Sequence, residues 1–203
     1  TRIKWNLSNH GYLIMTKKHI LILPGDEVGP EITTEVIKIL DFFNESKMTD
    51  ISYEFGDIGG ASLDKYNKPI TDETLDSARK SDAVLLASVG TPKYDNNARA
   101  LKPEHGLLVL RKHLNLFINI RPIFTFNTLL DFSSIKSELI DELDIVIIRE
   151  LIGDVYFGEP RGFKDVNGER VGYNTMLYSE SEVQRITKFA IDISLKRKKR
   201  ITS

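Results

Sequence analysis

The stretch HILILPGDEVGPEI, residues 19–32, reads as a strand, a tight turn and the start of a helix. HILIL is a short apolar run that stops at Pro24, Gly25 and Asp26. Pro30 follows where the first turn of a helix accepts a residue without an N–H. Beyond it Ile32, Val36, Ile39, Leu40 and Phe43 recur at helical spacing and predict one apolar stripe. A strand handed through a glycine turn to a helix is one α/β unit. The turn has neither the GxGxxG nor the GxxxxGKS/T spacing, so its own chemistry assigns no nucleotide to it.

The same alternation continues outward. ISYEF (51–55) alternates like a strand, and Gly59-Gly60 is expected to open a loop. TDETLDSARKS (71–81) predicts a short helix capped by Thr or Asp, and AVLLA (83–87) an apolar strand buried on both faces of a parallel sheet. Strands alternating with helices imply a doubly wound α/β domain, whose ligands bind beyond the carboxyl ends of the strands. The loop 88–102 leaves AVLLA at such an end and is nominated by position, although a long polar surface loop fits the same residues. GLLVLRKHL (106–114) reads as a helix and LFINIRP as a strand closed by Pro122. Residues 125–137, rich in Ser, Thr and Asn, suggest a crossing into a second domain, where DIVIIRE (144–150) is the next strand. A glycine-punctuated stretch follows. Residues 179–198 then predict a helix with a Ser179/Glu182 capping box, an apolar face of Val183, Ile186, Ala190 and Ile193, and a basic end.

Composition excludes several classes of partner. The 203 residues are 41% hydrophobic and 28% charged with a formal net charge of -1, which fits a soluble globular protein and gives no global attraction to nucleic acid or anionic membrane. The basic cluster 196–200 reads as a solvated helix end. No apolar run approaches the roughly 20 residues of a membrane span. There is no cysteine, which rules out disulfides and thiolate chemistry and fits a cytoplasmic location. The four histidines lack the spacing of a helical zinc pair.

The residues that carry recognition are arginines. Arg111 and Arg121 flank the junction of helix and strand in PEHGLLVLRKHLNLFINIRP (103–122), and Arg149 stands next to last in DIVIIRE, ahead of Tyr156. A guanidinium is a planar fork that grips a carboxylate with two parallel hydrogen bonds, so three forks in one pocket would suit a small di- or tricarboxylate. An arginine after an apolar run is also an ordinary solvated strand end, and periodicity alone leaves both readings open.

Five signatures in order, LPGDEVGPEI (23–32), SVGTPK (88–93), PEHGLLVLRK (103–112), NIRP (119–122) and IRELIGDVYFGEPRG (148–162), make the chain resemble the 3-isopropylmalate dehydrogenases within the β-decarboxylating dehydrogenases. The resemblance implies a two-domain α/β fold with parallel and mixed sheets. It divides the chain into a disordered extension (1–14), the cofactor-side α/β domain (15–116) and a substrate and dimerisation domain (117–203) that includes an arm pairing with a second subunit. It implies oxidation of a 2-hydroxy acid by hydride transfer to NAD, then loss of the β-carboxylate through an enolate stabilised by Mg2+ or Mn2+. Arg111, Arg121 and Arg149 would hold the malate carboxylates, and Tyr156 would protonate the enolate carbon. A phenol with a pKa near 10 is a weak acid at neutral pH, so neighbouring positive charge would help it. Gly90, Thr91, Pro92, Lys93 and Glu104 would line the nicotinamide side of the NAD pocket.

Leu107 and Leu108 would give an apolar pocket for an isopropyl group, and they offer nothing to pair a third carboxylate, whose unpaired burial is costly. That favours 3-isopropylmalate over isocitrate, although helix core explains two leucines equally well. The implied enzyme is a cytoplasmic homodimer of leucine biosynthesis, with homoisocitrate and tartrate dehydrogenases as related alternatives. Two departures bear on it: Glu27 and Asp154 stand where the family pattern carries glycine, and Ile152 replaces threonine. The pattern also places a catalytic lysine, the metal-binding aspartates and an adenosine loop beyond Ser203, so the chain is expected to be an amino-terminal part, inactive alone, or else the non-catalytic remnant of a decayed gene.

Overall fold

The structure, a computed structural model, describes residues 16–203. The expectations for residues 1–14 lie outside them. The chain divides after Leu114 into two compact units.

In the first unit, β1 (Lys18–Gly25), α1 (Gly29–Glu45), β2 (Ile51–Phe55), α2 (Gly60–Tyr66), α3 (Asp72–Lys80), β3 (Ala83–Ser88) and α4 (Pro103–His113) follow in order. The strands form a parallel sheet of order β2-β1-β3. The central strand is the most deeply buried: Leu21, Ile22 and Leu23 are fully enclosed, and Leu21 and Leu23 join Ile58, Ile70, Leu75, Ala78 and Leu110 in one core. β3 differs from the sequence expectation. Among the described residues it has a neighbour on one side only, so Val84 and Leu86 are half-buried instead of enclosed on both faces.

Two further expectations change for local reasons. Gly59-Gly60 does not open a loop; Gly60 begins α2, because the Asp26 carboxylate receives its N–H and that of Ala61 and so satisfies the exposed donors of the first turn. Only part of the apolar stripe proposed for α1 turns inward: Val36 and Leu40 are half-buried, whereas Ile32, Ile39 and Phe43 are 42%, 56% and 38% exposed. The buried positions are Gly29 and Thr33, with Val36, Ile37 and Leu40 half-buried on the same side. A Cβ on Gly29 would lie 2.0 Å from the Pro24 carbonyl oxygen, so absence of a side chain is what lets the helix start this close to β1.

In the second unit β4 (Ile118–Phe124), the short α5 (Ser137–Ile140) and β5 (Asp144–Glu150) precede the hairpin β6 (Gly162–Val166) and β7 (Glu169–Tyr173), and α6 (Glu180–Leu195) ends the described elements. β4 pairs antiparallel with β5, and β6 with β7. Pro122 does not close β4 but lies inside it, opposite Val146, and residues 125–137 connect two strands of one unit. α6 has the expected capping box: Ser179 Oγ accepts from the Glu182 N–H and Glu182 Oε2 from the Ser179 N–H. It lies over one face of the β4-β5 ladder, where Arg197 donates to Asp144 and Arg185 to Glu150.

Both carboxylates that depart from the resembled pattern adopt left-handed backbone, Glu27 at φ 52° and Asp154 at φ 66°. This conformation costs a non-glycine residue roughly 1–2 kcal/mol, and glycine returns about 0.5–1 kcal/mol of that as unfolded-chain entropy. Glu27→Gly and Asp154→Gly are each expected to stabilise the protein by about 0.5–1 kcal/mol in urea unfolding. Asp26→Ala, which strands three buried or part-buried N–H groups, is expected to cost about 3 kcal/mol or more by the same measurement.

Candidate functional site

In the first unit the candidate residues gather where β1 and β3 end. Asp26, 5% exposed, accepts from the N–H groups of Gly60 at 2.9 Å, Ala61 at 2.9 Å and Gly90 at 2.8 Å, and its own N–H donates to the Ser88 carbonyl. That carboxylate therefore shapes the 88–91 turn. Gly90 sits at φ 127°, and a Cβ there would lie 3.0 Å from Glu104 Oε1, so two residues separated in sequence meet here. Thr91 Oγ1 accepts from the Lys93 N–H as Pro92–Tyr94 forms a 3-10 turn. The Lys93 ammonium and the Tyr94 hydroxyl both donate to Asp64 Oδ1 on α2, which holds the Asp64 carboxyl below its ordinary range and raises Lys93 and Tyr94.

Asp95, Arg99, Lys102, Glu104, His105 and Leu108 line a cleft of about 310 Å³ at the start of α4. The helix turns Pro103, Gly106 and Leu110 into the core and leaves Leu107 and Leu108 half-buried. Leu108 lines the cleft beside cations, while Arg111, half-buried, lies in the last turn of α4. Burial, with the Arg99 charge adding to it, lowers the pKa of His105, and its Nδ1 is buried without a hydrogen-bond partner.

In the second unit the ladder register decides which residues share a face. Asn119 pairs with Arg149 and Arg121 with Ile147, so Arg121, Asn119 and Arg149 project from one side of the two strands. Diagonal partners in such a ladder are about 7–8 Å apart, within reach of long side chains. Arg121 Nε donates to Asn119 Oδ1 at 2.6 Å, and Arg149 Nη2 donates to the Tyr156 hydroxyl with its guanidinium carbon 5.5 Å from the Tyr156 ring centroid. The opposite side, with Asp144, Val146, Ile148 and Glu150, faces α6. The second unit thus brings Arg121, Arg149 and Tyr156 to one side of the ladder. Arg111 belongs to the first unit, as do Gly90, Thr91, Pro92, Lys93 and Glu104.

The sequence model of isocitrate/isopropylmalate dehydrogenase matches residues 19–203. The chain belongs to the isocitrate/isopropylmalate dehydrogenase family. It is 50% identical over 187 residues to the 3-isopropylmalate dehydrogenase of Neisseria meningitidis serogroup A, covering 92% of this chain and 52% of that protein. It is also 50% identical over 184 residues to that of Thiobacillus denitrificans, covering 91% and 52%. The chain therefore spans about half the length of the curated relatives it matches. The crystal structure of isocitrate dehydrogenase from Methylococcus capsulatus superimposes with a TM-score of 0.68 at 23% identity, over 88% of this chain and 48% of that one, which shows the fold. Among the described residues no helix is long and apolar enough to cross a membrane.

For this family member, sequence reasoning passed over Asp26, Asp64, Asn119, Glu150 and Arg185, which make hydrogen bonds within or to the candidate segments. Asp26 had a signal, a carboxylate directly after a strand-ending glycine. Glu150 and Arg185 had none, because they meet only when α6 folds onto the ladder.

Because the folded state holds His105 with a lowered pKa, the unfolded chain takes up that proton first as pH falls. Stability is expected to be fully present above the ordinary value of 6.5 and to decline as pH drops below it, with a slope of at most one proton. Urea unfolding at successive pH values checks this, and His105→Gln should remove the slope.

Proposed function

We propose that this chain carries the carboxylate-binding and proton-donating residues for NAD-dependent oxidative decarboxylation of 3-isopropylmalate to 4-methyl-2-oxopentanoate, a step of leucine biosynthesis. The observation that carries the reading is the Arg149–Tyr156 hydrogen bond on the face shared with Arg121, in a chain 50% identical to proteins named 3-isopropylmalate dehydrogenase. Arg111, Arg121 and Arg149 are assigned to the malate carboxylates and Leu107 with Leu108 to the isopropyl group. The first unit is the cofactor-side domain, and the second carries substrate binding and the contact to a second copy in a cytoplasmic homodimer.

In this mechanism the guanidiniums fix the two carboxylates so that the hydroxyl-bearing carbon can lose hydride as its O–H proton passes to solvent, and the β-carboxylate can then depart as CO2. Tyr156 then donates its phenolic proton to the enolate carbon. Its hydroxyl already accepts from Arg149, a donor that stabilises the phenolate left behind. NAD, when bound, accepts the hydride. Gly90, Thr91, Pro92, Lys93 and Glu104 are assigned to it, and the missing side chain of Gly90, whose Cβ would lie 3.0 Å from Glu104 Oε1, lets the turn and that carboxylate approach closely. Among the described residues no group of three or more His, Asp or Glu side chains is arranged to hold a metal ion. These residues therefore do not fit the Mg2+ or Mn2+ implied for the enolate.

The test is a chimera in which residues 19–203 replace the matching segment of the Neisseria meningitidis relative. NADH formation with 3-isopropylmalate, and none with isocitrate, is the expected result. Tyr156→Phe should lower turnover by about 10²-fold or more, and Arg149→Ala should weaken kcat/KM by roughly 10–100-fold, as loss of a charge-assisted hydrogen bond predicts. A folded chimera that prefers isocitrate would sink the assignment.

A further inference from the structure

Tyr156 meets Arg149 because the chain reverses within the few residues after β5, and the Glu150 carboxylate anchors that reversal. Glu150 points to the side of the ladder opposite Arg149, and its side chain is 9% exposed. Its Oε2 accepts from the N–H groups of Ile152 at 2.8 Å and Gly153 at 2.7 Å, while Oε1 accepts from Arg185 Nη2 of α6 at 2.8 Å. The Arg185 guanidinium in turn lies 4.4 Å from the Phe117 ring centroid, and the Leu151 N–H donates to the Phe117 carbonyl. Further along, the Asp154 N–H donates to Leu177, and a Cβ on Gly153 would lie 2.9 Å from the Tyr178 ring. A carboxylate that takes two consecutive backbone N–H groups fixes the direction in which the next residues leave the strand.

We propose that Glu150, with Arg185 as its counter-ion, is a positioning residue that sets the turn presenting the Tyr156 hydroxyl to Arg149. This role rests on the reading of Tyr156 as proton donor for its functional meaning, but its geometry does not. Glu150 touches neither the phenol nor a reacting atom. It acts through the backbone of residues 152–153, and it links the proton donor to α6, an element that shares no residue with the site.

The test uses the isotopically labelled 203-residue chain and two NMR readouts: amide exchange at Ile152 and Gly153, and the nuclear Overhauser contact between the Tyr156 ring and the Arg149 side chain. Glu150→Ala is expected to speed exchange at both amides at least tenfold and to abolish the Tyr156–Arg149 contact, with the amides of the β6-β7 hairpin unchanged. Glu150→Gln, which keeps an acceptor oxygen for the two N–H groups, should restore the contact. Survival of the contact in Glu150→Ala, or equal disturbance of the hairpin, overturns the proposal. Should the alanine variant not fold, Glu150→Asp decides, since it withdraws the carboxylate by one methylene: a lost contact with an intact hairpin supports the role, and a retained one refutes it. No substrate enters either readout, so failure of the dehydrogenase reading in the chimera and failure of this inference are separate results.

Discussion

A carboxylate placed in a protein interior must be hydrogen-bonded or it unfolds what surrounds it, and Asp26 meets that constraint with backbone N–H groups from two distant segments. The consequence runs outward from one side chain. Its two oxygens start α2 at Gly60, hold the 88–91 turn at Gly90 and leave β1 to continue into α1 through the Gly29 N–H, which donates to the Asp26 carbonyl. Because Asp26 directly follows the core strand β1, burial of Leu21, Ile22 and Leu23 and the shape of the candidate cofactor turn are one packing problem. The sheet could exist with other loops, but these loops could not keep their geometry without the carboxylate.

The second unit applies the same device differently. Glu150 also gives a carboxylate to two backbone N–H groups, yet its other oxygen is paired with a guanidinium from a helix. A part-buried ion pair of this kind contributes less through raw attraction than through the cost of removing one partner, which leaves the other charge desolvated. It therefore specifies a geometry more than it adds stability. The face of the ladder that α6 leaves uncovered is the one that carries Arg121, Asn119 and Arg149, so the packing of a helix on one side determines where the cationic side chains remain available.

Glu27 and Asp154 show how a local departure can be structural in origin. Read as sequence, each adds a negative charge near the candidate site. In the fold each occupies left-handed backbone, the conformation that explains why glycine suits both positions, Glu27 in an exposed turn and Asp154 in a half-buried one. The same distinction separates the two readings of α1 and β3. Helical and apolar periodicity identified both elements, but which side of α1 faced the sheet was decided by Gly29 and Thr33, the residues small enough for close approach.

The sequence by itself determined the α/β alternation, the capping box of α6 and the family, and it nominated the arginines and the tyrosine, because periodicity, capping and motif order are local properties written in neighbouring residues. Only the tertiary structure decided that Arg121 and Arg149 share a face, that Tyr156 returns to Arg149, and that Asp26 and Glu150 hold the turns that carry these groups. Ladder register and the reach of a buried carboxylate depend on residues far apart in the chain, and no spacing within one segment records them.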